Sequence, residues 1–197
     1  MKTAFIIAGL DIHATATSKK HQQLQQAIEQ KGYRVIPVDV SWRRTTPSQF
    51  ADKFITIYEA EKGKSNIVIG NSFGAVVALV TAQRTKPEEL LLCSLSPFFS
   101  EDITKNWPAK KEIRKLGKHR LKDIQKYSVR EIIDVINKTN IKVKVLYGEK
   151  EHRTSPKVVA RAKQTATMLN SANLIEIAHA PHPFSDPSYI KGIVAEL

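Results

Sequence analysis

The residues best suited to chemistry lie at Gly70-Asn71-Ser72-Phe73-Gly74. A short run rich in β-branched residues (66–69) precedes them, and a second apolar run (75–80) follows. The first run reads as a buried strand and the second as a buried helix. Gly-x-Ser-x-Gly between a strand and a helix is the pattern of a nucleophile elbow. The turn is so tight that positions two before and two after the serine must lack a side chain, which the glycines at 70 and 74 satisfy. The serine then stands at a helix N-terminus, where free N–H groups favour developing negative charge.

Such a nucleophile needs a base, an orienting acid and an oxyanion site. After the apolar run at 141–147 come Glu149 and Glu151, and after the run at 173–178 come His179 and His182. His182 is the preferred base. It stands four residues past the strand end, just ahead of a helix start, in His-Pro-Phe, whereas His179 is held at the strand end itself. Glu151 is the preferred acid because it can turn back over the sheet, and Glu149 is the second choice. A plain polar turn, Gly-Glu-Lys-Glu-His, is the bland alternative for both. The oxyanion donors expected are the N–H of Phe73, after the nucleophile, and the N–H of Leu10, in the loop after the first strand. Asp11 beside that loop is costly unless it points away. Two histidines three apart are half a metal site, and no further His or Cys cluster completes it, so no metal is expected.

The elements that must position these groups alternate along the chain. Strands are expected at 3–8, 33–40, 66–69, 90–95, 141–147 and 173–178. Pro37 marks the second as an edge strand or a bulge. Helices are expected from Ser18 to Lys31, from Pro47 to about Lys62, through the elbow to about Arg84, from Ser155-Pro156 to about Leu169, and over 188–197 behind Asp186-Pro187. This order predicts an α/β fold with a doubly wound, mostly parallel sheet of about six strands and helices on both faces. Candidate ligand sites then lie on loops at the carboxyl ends of the strands. A single glycine after the first strand gives no dinucleotide fingerprint.

The interval 97–140 breaks the rhythm. It holds no convincing strand and fits two or three helices, including 110–126 and 128–137. Between Lys105 and Lys126 stand nine Lys or Arg and two acids, a balance of +7 against a net charge of +12 for the whole chain. Ile113, Leu116, Leu121 and Ile124 are spaced to pack one helix face inward, with the basic residues lining the other. That charge directs attention to anionic substrates, acidic membranes and nucleic acid. No zinc-ligand spacing, RNA-binding aromatic motif or P-loop supports the last of these. Lysine-rich solvated helix faces are the plainer cause.

At 197 residues with 42% hydrophobic content, the chain suits one domain with a sizeable core. The single cysteine, Cys93, lies in an apolar run and reads as a buried thiol. The N-terminal apolar stretch is too short for a signal peptide, and no run reaches transmembrane length. A cytoplasmic protein is the expectation.

The sequence resembles the small single-domain α/β-hydrolases over almost its whole length. The carriers are Ala8-Gly9-Leu10, Gly-Asn-Ser-Phe-Gly at 70–74, Tyr-Gly-Glu-Lys-Glu at 147–151 and His-Pro-Phe at 182–184, in the family's nucleophile–acid–histidine order. The resemblance implies one domain spanning 1–197, with Ser72 as nucleophile, His182 as general base and Glu151 as acid. It also implies a helical cap, which falls on the basic interval at about 97–140. Two departures stand out: Ala8-Gly9 where the family usually has His-Gly, and Glu where Asp is more frequent. The expected activity is hydrolysis of a carboxylic ester or thioester without a cofactor. The alternatives are an acyltransferase using the same triad, or a non-catalytic binding protein with a basic cap.

Overall fold

Short β-branched runs alternate with amphipathic segments to build a sheet covered on both faces. The computed structural model describes residues 2–11, 15–103, 113, 114 and 116–197. β1 (Lys2–Ile7) is followed by a 3-10 turn (Lys19–His21) and α1 (Gln22–Glu29). Next come β2 (Tyr33–Pro37), α2 (Pro47–Glu61), β3 (Ser65–Asn71), α3 (Phe73–Thr85) and β4 (Glu89–Cys93). A second 3-10 turn (Ser100–Asp102), α4 (Lys118–Ile124) and α5 (Val129–Ile136) precede β5 (Lys142–Gly148). The remaining elements are α6 (Glu151–Thr154), α7 (Pro156–Met168), β6 (Ala172–Ile177) and α8 (Pro187–Ala195).

The six strands are all parallel, in the order β2-β1-β3-β4-β5-β6. The chain runs outward from β1 to β2, returns to β3 on the other side of β1, and then proceeds to β6. The direction of winding therefore reverses between β1 and β3, and a crevice opens at their carboxyl ends. Ile7 pairs with Gly70 and Asn71 with Cys93, so Ser72 follows directly at that edge.

Alternate strand residues feed two cores. Phe5, Ile7, Val68, Leu90, Leu92 and Val145 pack under α2, α3, α5 and α7. Ala4, Ile6, Ile67, Ile69, Leu91 and Cys93 pack under α1 and α8. Both faces are covered, which is why the strands read as unbroken apolar runs. β2 is an edge strand, where the missing N–H of Pro37 interrupts no inner ladder. Among the described residues, no helix is long and apolar enough to cross a membrane.

Two expectations need correction. Ser18 does not open a helix reaching Lys31: its side chain makes no capping bond, a 3-10 turn intervenes, and α1 spans only Gln22–Glu29. The basic interval does not carry one helix from 110 to 126. Gly117, at φ 84°, sits at the N-cap of α4, a conformation that a continuous helix cannot contain. Lys105, Lys110, Lys111 and Lys115 lie outside the described residues.

The expected apolar face is nonetheless present, since Leu116, Leu121 and Ile124 are buried and Ile113 packs against the same core. Arg120 departs from the solvated basic face assigned to it. It is buried, its Nε donates to the carbonyl of Thr45 at 2.9 Å and its Nη1 to that of Leu116 at 2.7 Å, and its Nη2 donates to the Trp42 carbonyl. It ties α4 to the loop ahead of α2. Asp123 is buried beside it and accepts from Ser48 N and Oγ at 2.7 and 2.9 Å, at the start of α2.

Candidate active site

Ser72 is the sole residue between β3 and α3. Its φ of 55° and ψ of −116° lie where a non-glycine residue is strained, which costs about 1–3 kcal/mol and is characteristic of functional turns. The turn is held from several sides. Ser72 N donates to Cys93 O at 2.8 Å, and Ser72 O accepts from the N–H of Ala75 and of Ser96. A Cβ on Gly70 would meet Gly74 O at 2.5 Å, and one on Gly74 would meet Ile7 O at 2.2 Å. These are backbone atoms and cannot yield, so glycine is required at both places.

The Ser72 hydroxyl does not cap α3, which leaves it available for other partners. Its Oγ lies 2.9 Å from Ser96 Oγ. It makes no hydrogen bond to His182 in this conformation, but both residues line one cavity of about 680 Å³.

The two glutamates and two histidines pair off. Glu151, the first residue of α6, has no exposed surface, and its Oε1 lies 2.5 Å from His182 Nδ1. Its Oε2 accepts from Gly148 N at 2.8 Å and from Ser94 Oγ at 2.8 Å. Glu149 instead accepts from His179 N at 2.7 Å, and the His179 side chain is 83% exposed. The turns after β5 and β6 are laced together by Glu149 N to Ile177 O and Lys150 N to Ala180 O. That lacing brings Glu151 under His182.

The backbone at Gly9 runs against the elbow, since an added Cβ there would lie 3.1 Å from Ser72 Cβ. Leu10 and Phe73 both line the cavity. Asp11 lines it too, and its carboxylate pairs with Lys20. The cavity has two unlike walls. Phe73, Phe98 and Leu116 belong to the core under α2 and α3, while His21 and Phe184 come from the opposite side of the sheet. His21 is 5% exposed, and its Nδ1 has no partner. Burial, with a smaller contribution from Lys20, lowers its pKa to about 4, so this imidazole is neutral. The Cys93 thiol is pushed well up by burial and then by Glu151, so it stays protonated. Among the described residues, no group of three or more His, Cys, Asp or Glu is placed to hold a metal.

Four residues of the site escaped the sequence reading. Asn71 is buried, and its Nδ2 donates to Cys93 O and to His182 O, both at 3.4 Å, tying the histidine loop to the sheet. Ser94 and Ser96 are buried just beyond β4. A signal existed for these three: polar residues embedded in apolar runs need buried partners. Tyr189 bonds to Ser94 Oγ at 2.8 Å but reads in the sequence as an ordinary core aromatic of the last helix.

No family model matches the sequence, and no curated protein does either. Solved structures do match. Est1E from Butyrivibrio proteoclasticus superposes with a TM-score of 0.73 at 14% identity, over 98% of this chain and 84% of that one. Mouse alpha/beta hydrolase domain-containing protein 10 gives 0.73 at 14% identity, over 98% and 87%. The meta-cleavage product hydrolase of Pseudomonas fluorescens IP01 gives 0.71 at 14% identity, over 99% and 90%. The chain has the α/β-hydrolase fold, with its strained serine at the crevice of the sheet.

Proposed function

We propose that this chain is a serine hydrolase acting on a carboxylic ester or thioester. The observation that carries the reading is a buried carboxylate, Glu151, bonded at 2.5 Å to His182 Nδ1 in the cavity that the strained Ser72 lines. Proteins of this fold described as carboxylesterases and as a hydrolase support the same reading.

In this mechanism Ser72 Oγ turns from Ser96 toward His182 and attacks the acyl carbonyl carbon. His182 Nε2 takes the serine proton, and Glu151 holds the Nδ1–H and balances the imidazolium charge. The N–H groups of Leu10 and Phe73 receive the oxyanion, a donor pair in which each member contributes about 3 kcal/mol to the transition state. Collapse breaks the acyl–oxygen or acyl–sulfur bond, and His182 gives its proton to the leaving alcohol or thiol. Water, deprotonated by His182, then attacks the acyl-enzyme and frees the acid. An acyltransferase would differ only in using another acceptor at this step.

The whole chain acts as one catalytic domain; within the basic interval at about 97–140, α5 packs on the sheet, and the part ahead of it is the candidate cap. The net charge of +12 favours an anionic small-molecule substrate, with Lys20 at the cavity already paired to Asp11. A lone buried thiol suits the cytoplasm.

The test is turnover of a neutral aryl ester by pure variants. Ser72→Ala and His182→Ala should each lower kcat by roughly 10⁴-fold or more, because triad members act as a unit. Glu151→Gln should follow them, while Glu149→Gln and His179→Ala should stay near wild type. Undiminished turnover by Ser72→Ala would defeat the proposal.

A further inference from the structure

Behind Glu151 lies a polar chain that the proposed mechanism does not use. Ser94 and Tyr189 are both fully buried, and neither lines the cavity. Ser94 follows β4 at φ 50°, a region that suits glycine better than serine. A side chain is thus held where glycine would relax the backbone, which points to a use for it.

The direction of the protons follows from chemistry. The Glu151 carboxylate can only accept, so the Ser94 hydroxyl, at 2.8 Å, must donate to its Oε2. The lone pairs of Ser94 are then free to accept from the Tyr189 hydroxyl, also at 2.8 Å. The Leu146 carbonyl, at 3.2 Å, is a weaker second acceptor for that phenol proton. On the other carboxylate oxygen, His182 Nδ1–H donates at 2.5 Å. Buried chains of this kind polarise one another when every member is satisfied.

We propose that Ser94 and Tyr189 are positioning residues that set the orientation and charge balance of Glu151, and through it the behaviour of His182. The inference rests on the triad assigned above. The titratable groups facing Glu151 are the Cys93 thiol at the end of β4, the Tyr189 phenol on α8 and the His182 imidazole after β6. Burial first, and then nearby negative charge, push Cys93 and Tyr189 upward, so both stay protonated. Removing the Ser94 donor leaves a more basic carboxylate, which holds the imidazolium to higher pH. The acid limb of kcat/KM must therefore move up.

The test compares Ser94→Ala, Ser94→Gly and Tyr189→Phe in the full-length protein. Two readouts are needed: the pH profile of turnover, and the NMR signal of the His182 Nδ1 proton, which requires no turnover. Ser94→Ala should lower kcat roughly tenfold with little change in KM. It should also move the acid limb up by about half a unit and shift the Nδ1 proton. Ser94→Gly, which relieves the backbone, should show the same shifts, and Tyr189→Phe smaller ones in the same direction. Unmoved pH profiles and an unmoved His182 proton would overturn the relay, whatever the loss in kcat. If the wild type hydrolyses no ester, the function proposed above fails, while the proton signal alone still decides whether the relay holds His182.

Discussion

Ser72, Glu151 and His182 come from three different turns. The φ of Ser72 is imposed by two glycines that admit no Cβ, and Glu151 is seated by Gly148 N–H. His21 is the other histidine of the cavity, and its chemistry is opposite to that of His182. Its Nδ1 is unpartnered, and burial lowers its pKa from 6.5 to about 4 against a smaller opposing pull from Asp11. The unfolded chain therefore takes up a proton that the folded protein refuses. Stability from this group is fully present above pH 6.5 and is lost as pH falls from there toward 4. His21→Phe should abolish that component. Thermal midpoints taken at pH 7 and pH 4.5 should fall further for the wild type, by roughly 5 °C, than for the variant. Parallel falls would show that His21 takes up its proton equally in both states.

At the scale of elements, the basic interval contributes structure as well as charge. Arg120 donates to three carbonyls, two of them in the loop ahead of α2, and Asp123 anchors the start of α2. Arg120→Ala leaves buried acceptors without donors and should cost about 2–4 kcal/mol by urea denaturation. Lys122→Ala, at an exposed site on the same helix, should stay within about 0.5 kcal/mol. Equal costs would mean that Arg120 is as solvated as its neighbour.

The contrast also shows what the sequence discloses. Runs such as Leu90–Leu92 announce a strand covered on both faces, and Gly-x-Ser-x-Gly announces the turn, because sterics leave few alternatives. The four acidic and basic candidates, Glu149, Glu151, His179 and His182, were visible too, since polar residues past strand ends face the crevice. Arg120 was not, because nothing local separates a buried arginine from a solvated one. Tyr189 was not, because its partner lies 95 residues away in the chain. The break at Gly117 shows how one positive φ outweighs a favourable apolar spacing on either side.

The whole molecule combines the α/β-hydrolase fold with a formal charge of +12. Lys20 and Lys157 stand at a cavity that also holds Asp11. An excess of positive charge raises the local concentration of anions, and salt screens it over about 10 Å at 0.1 M. The kcat/KM for an anionic ester should therefore fall severalfold as salt rises from about 0.02 to 0.5 M, while that for a neutral ester of equal reactivity stays level. Equal responses would confine the charge to solvated helix faces remote from the site.

The central claim is that Ser72 is an activated nucleophile, and covalent capture tests it most directly. A fluorophosphonate probe reacts with a serine only where a base and an oxyanion site support the attack. Mass spectrometry of the labelled protein should find one phosphonylated residue, Ser72, with labelling lost in Ser72→Ala and greatly slowed in His182→Ala. An unlabelled Ser72, or labelling that persists undiminished in His182→Ala, would contradict the account.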